Sequence, residues 1–194
     1  DVKLNAPGDH NVRNALAAIA VGQEMGVPDE AIATALEHFN GVGRRFQSYG
    51  DIALADGGSF ALVDDYAHHP TELKALLEAT RQAMPGRRLV AVFQPHLYSR
   101  TRDFAHEFAA ALLDAEVAVV LPIYPAREQP IEGISSALVV QEAIRLGHPQ
   151  ALAGLPIEEA AQQLDDLLRP GDVLLTVGAG DVDDLAAAWL EGAA

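Results

Sequence analysis

Cysteine is absent from this 194-residue chain, which excludes disulfides and thiolate metal centres and makes a reducing compartment, the cytoplasm, the expectation. Positive charge is scarce as well: 13 lysines and arginines stand against 28 aspartates and glutamates, for a net charge of -15. That balance argues against a nucleic-acid partner, because phosphate neutralisation needs a basic face. An anionic ligand must instead be met by a local arginine cluster or by helix N-termini. No run approaches the roughly 20 apolar residues of a membrane span. Also missing are any His-x-x-x-His or carboxylate grouping with metal-ligand spacing, a Gly-x-Ser-x-Gly hydrolase elbow and a full dinucleotide fingerprint. No metal ligand and no nicotinamide site is therefore assigned. An initiator methionine is lacking too, and Asp1-Val2-Lys3-Leu4 reads like the middle of a protein, so the expectation is a piece of a longer polypeptide.

What is present is an ordinary globular composition, 49% apolar and 21% charged, long enough to bury a substantial core. Apolar positions at Val12, Ala15, Leu16, Ile19 and Ala20 predict a helix over 11–25, stopped by Gly26. Pro28 opens a second, with Ile32, Ala35, Leu36 and Phe39 on one face. Gly41-Val42-Gly43, followed by Arg44-Arg45-Phe46, reads as a hinge into a new unit. Short apolar runs then alternate with helical patterns, the mark of a parallel sheet with crossover helices. Strands are predicted near 61–64, 88–94, 117–121 and 172–177, with a short one at 151–153 and a hairpin over 46–56. Helices are predicted near 70–83, 102–113, 135–146, 157–168 and 181–191.

In such a sheet the strand ends gather on one edge, where open α/β folds bind ligands. The first loop there, Asp64-Asp65-Tyr66-Ala67-His68-His69-Pro70-Thr71-Glu72, sets two carboxylates and two imidazoles between a strand and a proline-started helix. The second, Gln94 to Arg102, offers an imidazole, hydroxyls and two cations. Arg100 sits nearer the strand end and suits bidentate contact with a carboxylate or phosphate, whereas Arg102 reads equally as a solvated helix residue. Tyr124-Pro125-Ala126-Arg127-Glu128 and Gly178-Ala179-Gly180-Asp181 complete the edge. Near the start, Asn11 and Asn14 lie one helical turn apart, a spacing that serves helix capping and adenine recognition alike.

Four segments in this order, Gly8-Asp9-His10-Asn11-Val12-Arg13-Asn14, Gly43-Arg44-Arg45-Phe46, Asp64 to Glu72 and Gln94 to Thr101, resemble the Mur ligases, the ATP-dependent amide-forming enzymes of peptidoglycan synthesis. The resemblance spans essentially the whole chain but only the last part of such an enzyme. It implies an α/β, Rossmann-like C-terminal domain with a mainly parallel sheet and flanking helices over 45–194. Residues 1–44 would be a helical remnant of the central ATP-binding domain. The family's phosphate-binding Gly-x-x-Gly-Lys-Thr/Ser loop, its carbamylated lysine and its Mg2+ ligands have no counterpart here and are expected upstream.

The activity implied is ATP-dependent addition of L-alanine to UDP-N-acetylmuramate through an acyl phosphate, with this piece alone inactive. A tripeptide-recycling ligase of the same superfamily shares the Asp-Asp-x-Ala-His-His-Pro-Thr pattern, and a non-catalytic nucleotide- or amino-acid-binding module is the alternative of a different class. By resemblance, Asn14 contacts adenine with His10 supporting that helix start, Arg45 reaches the ATP phosphates and Asp65 bonds the ribose. Tyr66, His68 and Arg100 shape the alanine side, with His68 and Arg100 the catalytic candidates and Glu128 a further substrate contact. Many members carry an arginine where this chain has Leu97, so the cations facing the amino acid differ here.

Overall fold

Alternation of apolar strands with amphipathic helices dictates the architecture seen in a computed structural model of the chain, which describes residues 2–4, 8–39, 42–55 and 57–192. Two helices lead, α1 (Asp9–Glu24) and α2 (Asp29–His38), followed by β1 (Gln47–Ala53), β2 (Ser59–Asp65), α3 (Pro70–Ala83), β3 (Leu89–Phe93) and α4 (Tyr98–Leu112). Then come β4 (Val117–Val120), α5 (Ala137–Arg145), β5 (Ala151–Ala153), α6 (Ile157–Asp165), β6 (Val173–Val177) and α7 (Asp183–Gly192). The strands form one six-stranded sheet in the order β1-β2-β6-β3-β4-β5. Only β1 runs antiparallel; every other pairing is parallel.

The period-2 alternation of strand side chains divides the core in two. Val63, Ala91, Phe93, Val120 and Leu175 face α3, α4 and α5, meeting Leu73, Leu77, Phe108, Leu112 and Val139. Phe60, Leu62, Val90, Val92 and Leu174 face the opposite way, toward Leu164 of α6 and Leu185 of α7. With both faces covered, β3, β4 and β6 are buried at every residue, which is why they read as continuous apolar runs in the sequence.

β6 lies between β2 and β3. Its outgoing helix packs on one face while theirs pack on the other, so their carboxyl ends form the topological switch point at which open α/β sheets have their ligand crevice. The hairpin expected within 46–56 is corrected: that segment is a single strand, β1, which pairs antiparallel with β2, Ile52 opposite Phe60. Its turn is closed by the Leu54 amide on the Gly58 carbonyl at 3.0 Å. α4 begins at Tyr98, a turn earlier than the apolar pattern around 102 suggested.

α1 and α2 stand outside this sandwich. Ala15 is the buried apolar residue of α1, while Leu16 and Met25 are 61% and 75% exposed. Gln23 Nε2 donates to Asp29 Oδ1 at 3.0 Å and joins the two helices. Among the described residues no helix is long and apolar enough to cross a membrane.

Candidate functional site

The strand-end loop after β2 is organised by its own polar groups. His69 is the N-cap of α3: its Nδ1 accepts the Thr71 amide, and the Glu72 carboxylate reaches back to the amides of His68 (2.9 Å) and His69 (3.1 Å). This is a capping box with a histidine in the Ser/Thr position, locked further by Pro70 at the first helical turn. Burial pushes the Glu72 carboxyl upward, but the amides of His68 and His69 and the nearby His68 ring outweigh it, and the net shift is downward. His69 therefore serves the helix, which leaves the Tyr66 and His68 side chains to the crevice.

The pleat sends the two adjacent aspartates to opposite faces of the sheet. Asp64, fully buried, accepts the Thr176 hydroxyl at 2.7 Å and Arg44 Nε at 3.0 Å. The same guanidinium donates to the carbonyls of Gly178 (2.7 Å) and Gly180 (3.2 Å), lies 3.3 Å from Asp183 and sits over the Tyr66 ring. Asp65 instead accepts the amides of Phe46 (2.7 Å) and Ala67 (2.8 Å). Burial raises both carboxyls above the usual aspartate range, opposed for Asp64 by Thr176 and Arg44 and for Asp65 by the two amides and Arg45. Together with the Tyr66 amide on the Arg44 carbonyl at 2.7 Å, these bonds staple residues 44–46 to the end of β2. Of the predicted glycine hinge, Gly41 lies outside the described residues, and the chain is already fixed to the sheet at Arg44.

On the Asp65 face a cavity of about 810 Å³ opens between the helical pair and α3. Asn11, Asn14, Arg45, Asp65, Thr71 and Glu72 supply its polar lining; Ala15, Leu36, Phe39, Phe46 and Leu76 are among its apolar walls. Three of the four residues expected to hold nucleotide, Asn14, Arg45 and Asp65, thus meet in one space. The fourth, His10, has a side chain outside the described residues. Gly8, not an asparagine, occupies the N-cap of α1, so Asn11 and Asn14 lie inside the helix and turn to the cavity. Its walls are apolar and its polar groups are two carboxamides, a hydroxyl, one cation and two carboxylates, a lining that can orient a mid-sized polar ligand.

On the other side of the loop, four rings form a chain. Tyr66 meets His68 at 5.4 Å between centroids, His68 meets His96 at 5.9 Å, and His96 stacks on Tyr124 at 5.9 Å. Arg100 NH1 stands 3.3 Å from His96 Nδ1 and 3.4 Å from the His68 carbonyl. Burial, then the charges of Arg100 and His68, hold the His96 imidazole below the ordinary histidine range, so it is neutral near pH 7. Tyr66, His68 and Arg100 are thereby brought together as expected. His96 and Tyr124 join them; both lie in strand-end loops that the sequence marks out, but neither carries an assigned role there. His96 is three residues beyond β3, and that position was the available signal. Glu128 stands close enough to His96 for their charges to interact, and its carboxylate accepts the Ser99 hydroxyl and, at 2.9 Å, the Ser99 amide. Arg102 pairs with its neighbour Asp103 on the surface, which favours the solvated reading. Among the described residues no three histidines, aspartates or glutamates gather as a metal site would require.

Comparison with known proteins converges on one family. The model of the Mur ligase glutamate ligase domain matches residues 44–180. A UDP-N-acetylmuramate–L-alanine ligase of Nitrosomonas europaea is 52% identical over 183 residues, 94% of this chain and 38% of that protein. The crystal structure of the corresponding Thermotoga maritima ligase superposes with a TM-score of 0.79 at 31% identity, covering 98% of this chain and 39% of that one. A murein peptide ligase from Psychrobacter arcticus shares the fold, with a TM-score of 0.70 at 22% identity. The chain spans about two fifths of the length of the relatives it matches. The cavity and the ring cluster, on the two sides of the loop after β2, are accordingly those of a chain that belongs to the Mur ligase family.

Proposed function

We propose that this chain is the C-terminal part of an ATP-dependent ligase that joins L-alanine to UDP-N-acetylmuramate. The observation that carries this reading is the 52% identity to the Nitrosomonas europaea L-alanine ligase over 94% of the chain. The two-sided site supports it. In this reading residues 1–44 close the ATP-binding domain and 45–194 form the C-terminal domain. The apolar side chains that α1 and α2 leave exposed would pack against the remainder of that first domain.

Asn14, Arg45 and Asp65 would hold the nucleotide, Asn14 through its amide edge, Arg45 at the phosphates and Asp65 at the ribose. ATP supplies the phosphoryl group that activates the muramate carboxylate as an acyl phosphate, with Mg2+ held by residues outside this chain. Arg100, beside the rings of His68 and His96, would pair with the carboxylate of the amino acid. With that carboxylate fixed, the amino group is presented to the activated carbonyl; gains of this kind come from orientation. His96, being neutral and accepting from Arg100 through Nδ1, carries its proton on Nε2.

The test is phosphate release by the full-length protein with UDP-N-acetylmuramate, ATP and an amino-group donor. Release that depends on L-alanine, and not on the tripeptide L-Ala-γ-D-Glu-meso-diaminopimelate, is expected. Turnover with the tripeptide alone would replace this reading by the recycling ligase. The 194-residue chain by itself is expected to release no phosphate.

A further inference from the structure

Helix α4 carries Arg100 in its first turn, and that turn lacks the usual means of holding itself. Its N-cap is Leu97, which has no side-chain acceptor and makes no cap bond. A helix start leaves its first amides without intrahelical partners, and Ser, Thr, Asp or Asn normally serves them. Leu97 also sits at φ 73°, a left-handed conformation that a branched aliphatic residue rarely adopts. Its neighbours over-determine that conformation. The Leu97 amide donates to the Tyr124 carbonyl at 2.9 Å, the Tyr124 amide to the Pro95 carbonyl at 2.8 Å, and the Thr101 hydroxyl to the Leu97 carbonyl at 2.8 Å. The loops after β3 and β4 are thus sewn together along their main chains, His96 beside Tyr124.

The second loop then turns back on itself. Ala126 adopts φ 51° and the Glu128 amide closes on the Pro125 carbonyl at 2.9 Å. This turn delivers the Glu128 carboxylate over the start of α4, where one oxygen takes the Ser99 amide at 2.9 Å and the other the Ser99 hydroxyl. Two strained non-glycine residues flanking one contact mark a position held for a purpose beyond packing.

We infer that Glu128 is a positioning residue: it caps α4 from the neighbouring loop and so aims Arg100, and His96 beside it, at the amino-acid substrate. The inference rests on the proposed ligase function and adds to it, because it moves Glu128 from contact with substrate to control of the residue that makes that contact. Loss of the carboxylate frees the Ser99 amide and lets the first turn of α4 fray. Arg100 then spends less time at the geometry that pairs with a carboxylate, while the nucleotide cavity on the opposite side of the Asp64–Asp65 loop is untouched.

Two measurements test this. In the 194-residue chain, Glu128→Ala is expected to speed hydrogen exchange of the Ser99 amide about tenfold or more, with strand amides such as that of Val119 unchanged. In the full-length ligase the same substitution is expected to raise the KM for L-alanine about tenfold, leaving the KM for ATP and the kcat at saturating alanine within about twofold. Glu128→Gln, which keeps an acceptor over Ser99, restores most of both. Unchanged Ser99 exchange overturns the inference, and so does a parallel rise in both KM values, which marks general loosening of the domain. A wild-type ligase with no amino-acid-dependent turnover counts against the proposed function instead, and the exchange result still decides the role of Glu128.

Discussion

Replacing Arg44 by methionine removes the guanidinium but keeps an unbranched stem over Tyr66, so it isolates the charge that faces Asp64. Asp64 is fully buried while the Arg44 side chain is 22% exposed, which makes this a pair buried on one side. Removing one member of a buried pair costs about 3–5 kcal/mol, because the other charge is left uncompensated. Water at the arginine side moves the expectation to the lower end, about 3 kcal/mol, or roughly 6–12 °C in Tm for a chain of this length. The pH dependence makes the test sharper. Burial raises the Asp64 carboxyl, and Arg44 is one of the groups that pull it back down, so its loss raises Asp64 further. A carboxyl whose folded pKa exceeds its unfolded value, near 3.9, opposes folding when ionised, and the penalty fades as pH falls through the folded pKa. The stability gap between Arg44→Met and wild type should therefore narrow as pH falls from 7.5 through the folded pKa of Asp64. With Asp64→Asn added, the double variant should be more stable than the sum of the single losses predicts, by about 1–3 kcal/mol. Urea unfolding followed by circular dichroism measures all of these. A variant within about 1 kcal/mol of wild type at pH 7.5, or a gap that widens as pH falls, would show that Arg44 does not neutralise Asp64.

Two further outcomes follow from the same structure. Buried His148 donates from Nε2 to the Leu112 carbonyl and accepts the Gln150 amide at Nδ1, each at 3.0 Å, and burial lowers its pKa below the ordinary value near 6.5. Its contribution is full above that value and is lost as pH falls through the folded pKa, so wild type should lose stability from pH 7 to 5 more steeply than His148→Gln; equal slopes would contradict this. At Gly180 an added Cβ would stand 2.3 Å from Gln94 Oε1 and 2.5 Å from the Tyr124 ring. Gly180→Ala should displace Tyr124 from His96 and raise the L-alanine requirement of the full-length ligase, measured as KM; an unchanged KM would show that Tyr124 does not order the ring cluster.

The sheet was legible because its signal is local. Continuous apolar runs placed β3, β4 and β6 to within a residue or two, and even three-residue β5 fell where Ala151-Leu152-Ala153 suggested. What escaped depends on contacts between distant residues. The start of α4 was misplaced by a turn because its cap, Glu128, comes from another loop and its own N-cap residue is a leucine. β1 was misread as half of a hairpin within 46–56 because its partner, β2, lies beyond the Gly57-Gly58 turn. At the site, residue types located the polar loops but not their division of labour. The pleat decides that Asp64 serves Arg44 and Asp65 faces the cavity beside α3, and the capping box decides that His69 belongs to α3 while His68 joins the ring cluster.

In the proposed ligase one loop divides two half-sites, nucleotide on the Asp65 face and amino acid on the His68 and Arg100 side. Steady-state phosphate release by the full-length ligase, titrated separately in ATP and in L-alanine for Asp65→Ala and Arg100→Ala, tests it directly. Asp65→Ala should raise the KM for ATP and Arg100→Ala the KM for L-alanine, each by about tenfold or more, the scale of one lost charge-assisted hydrogen bond. Wild-type values for both variants, or the same substrate affected by both, would contradict the division.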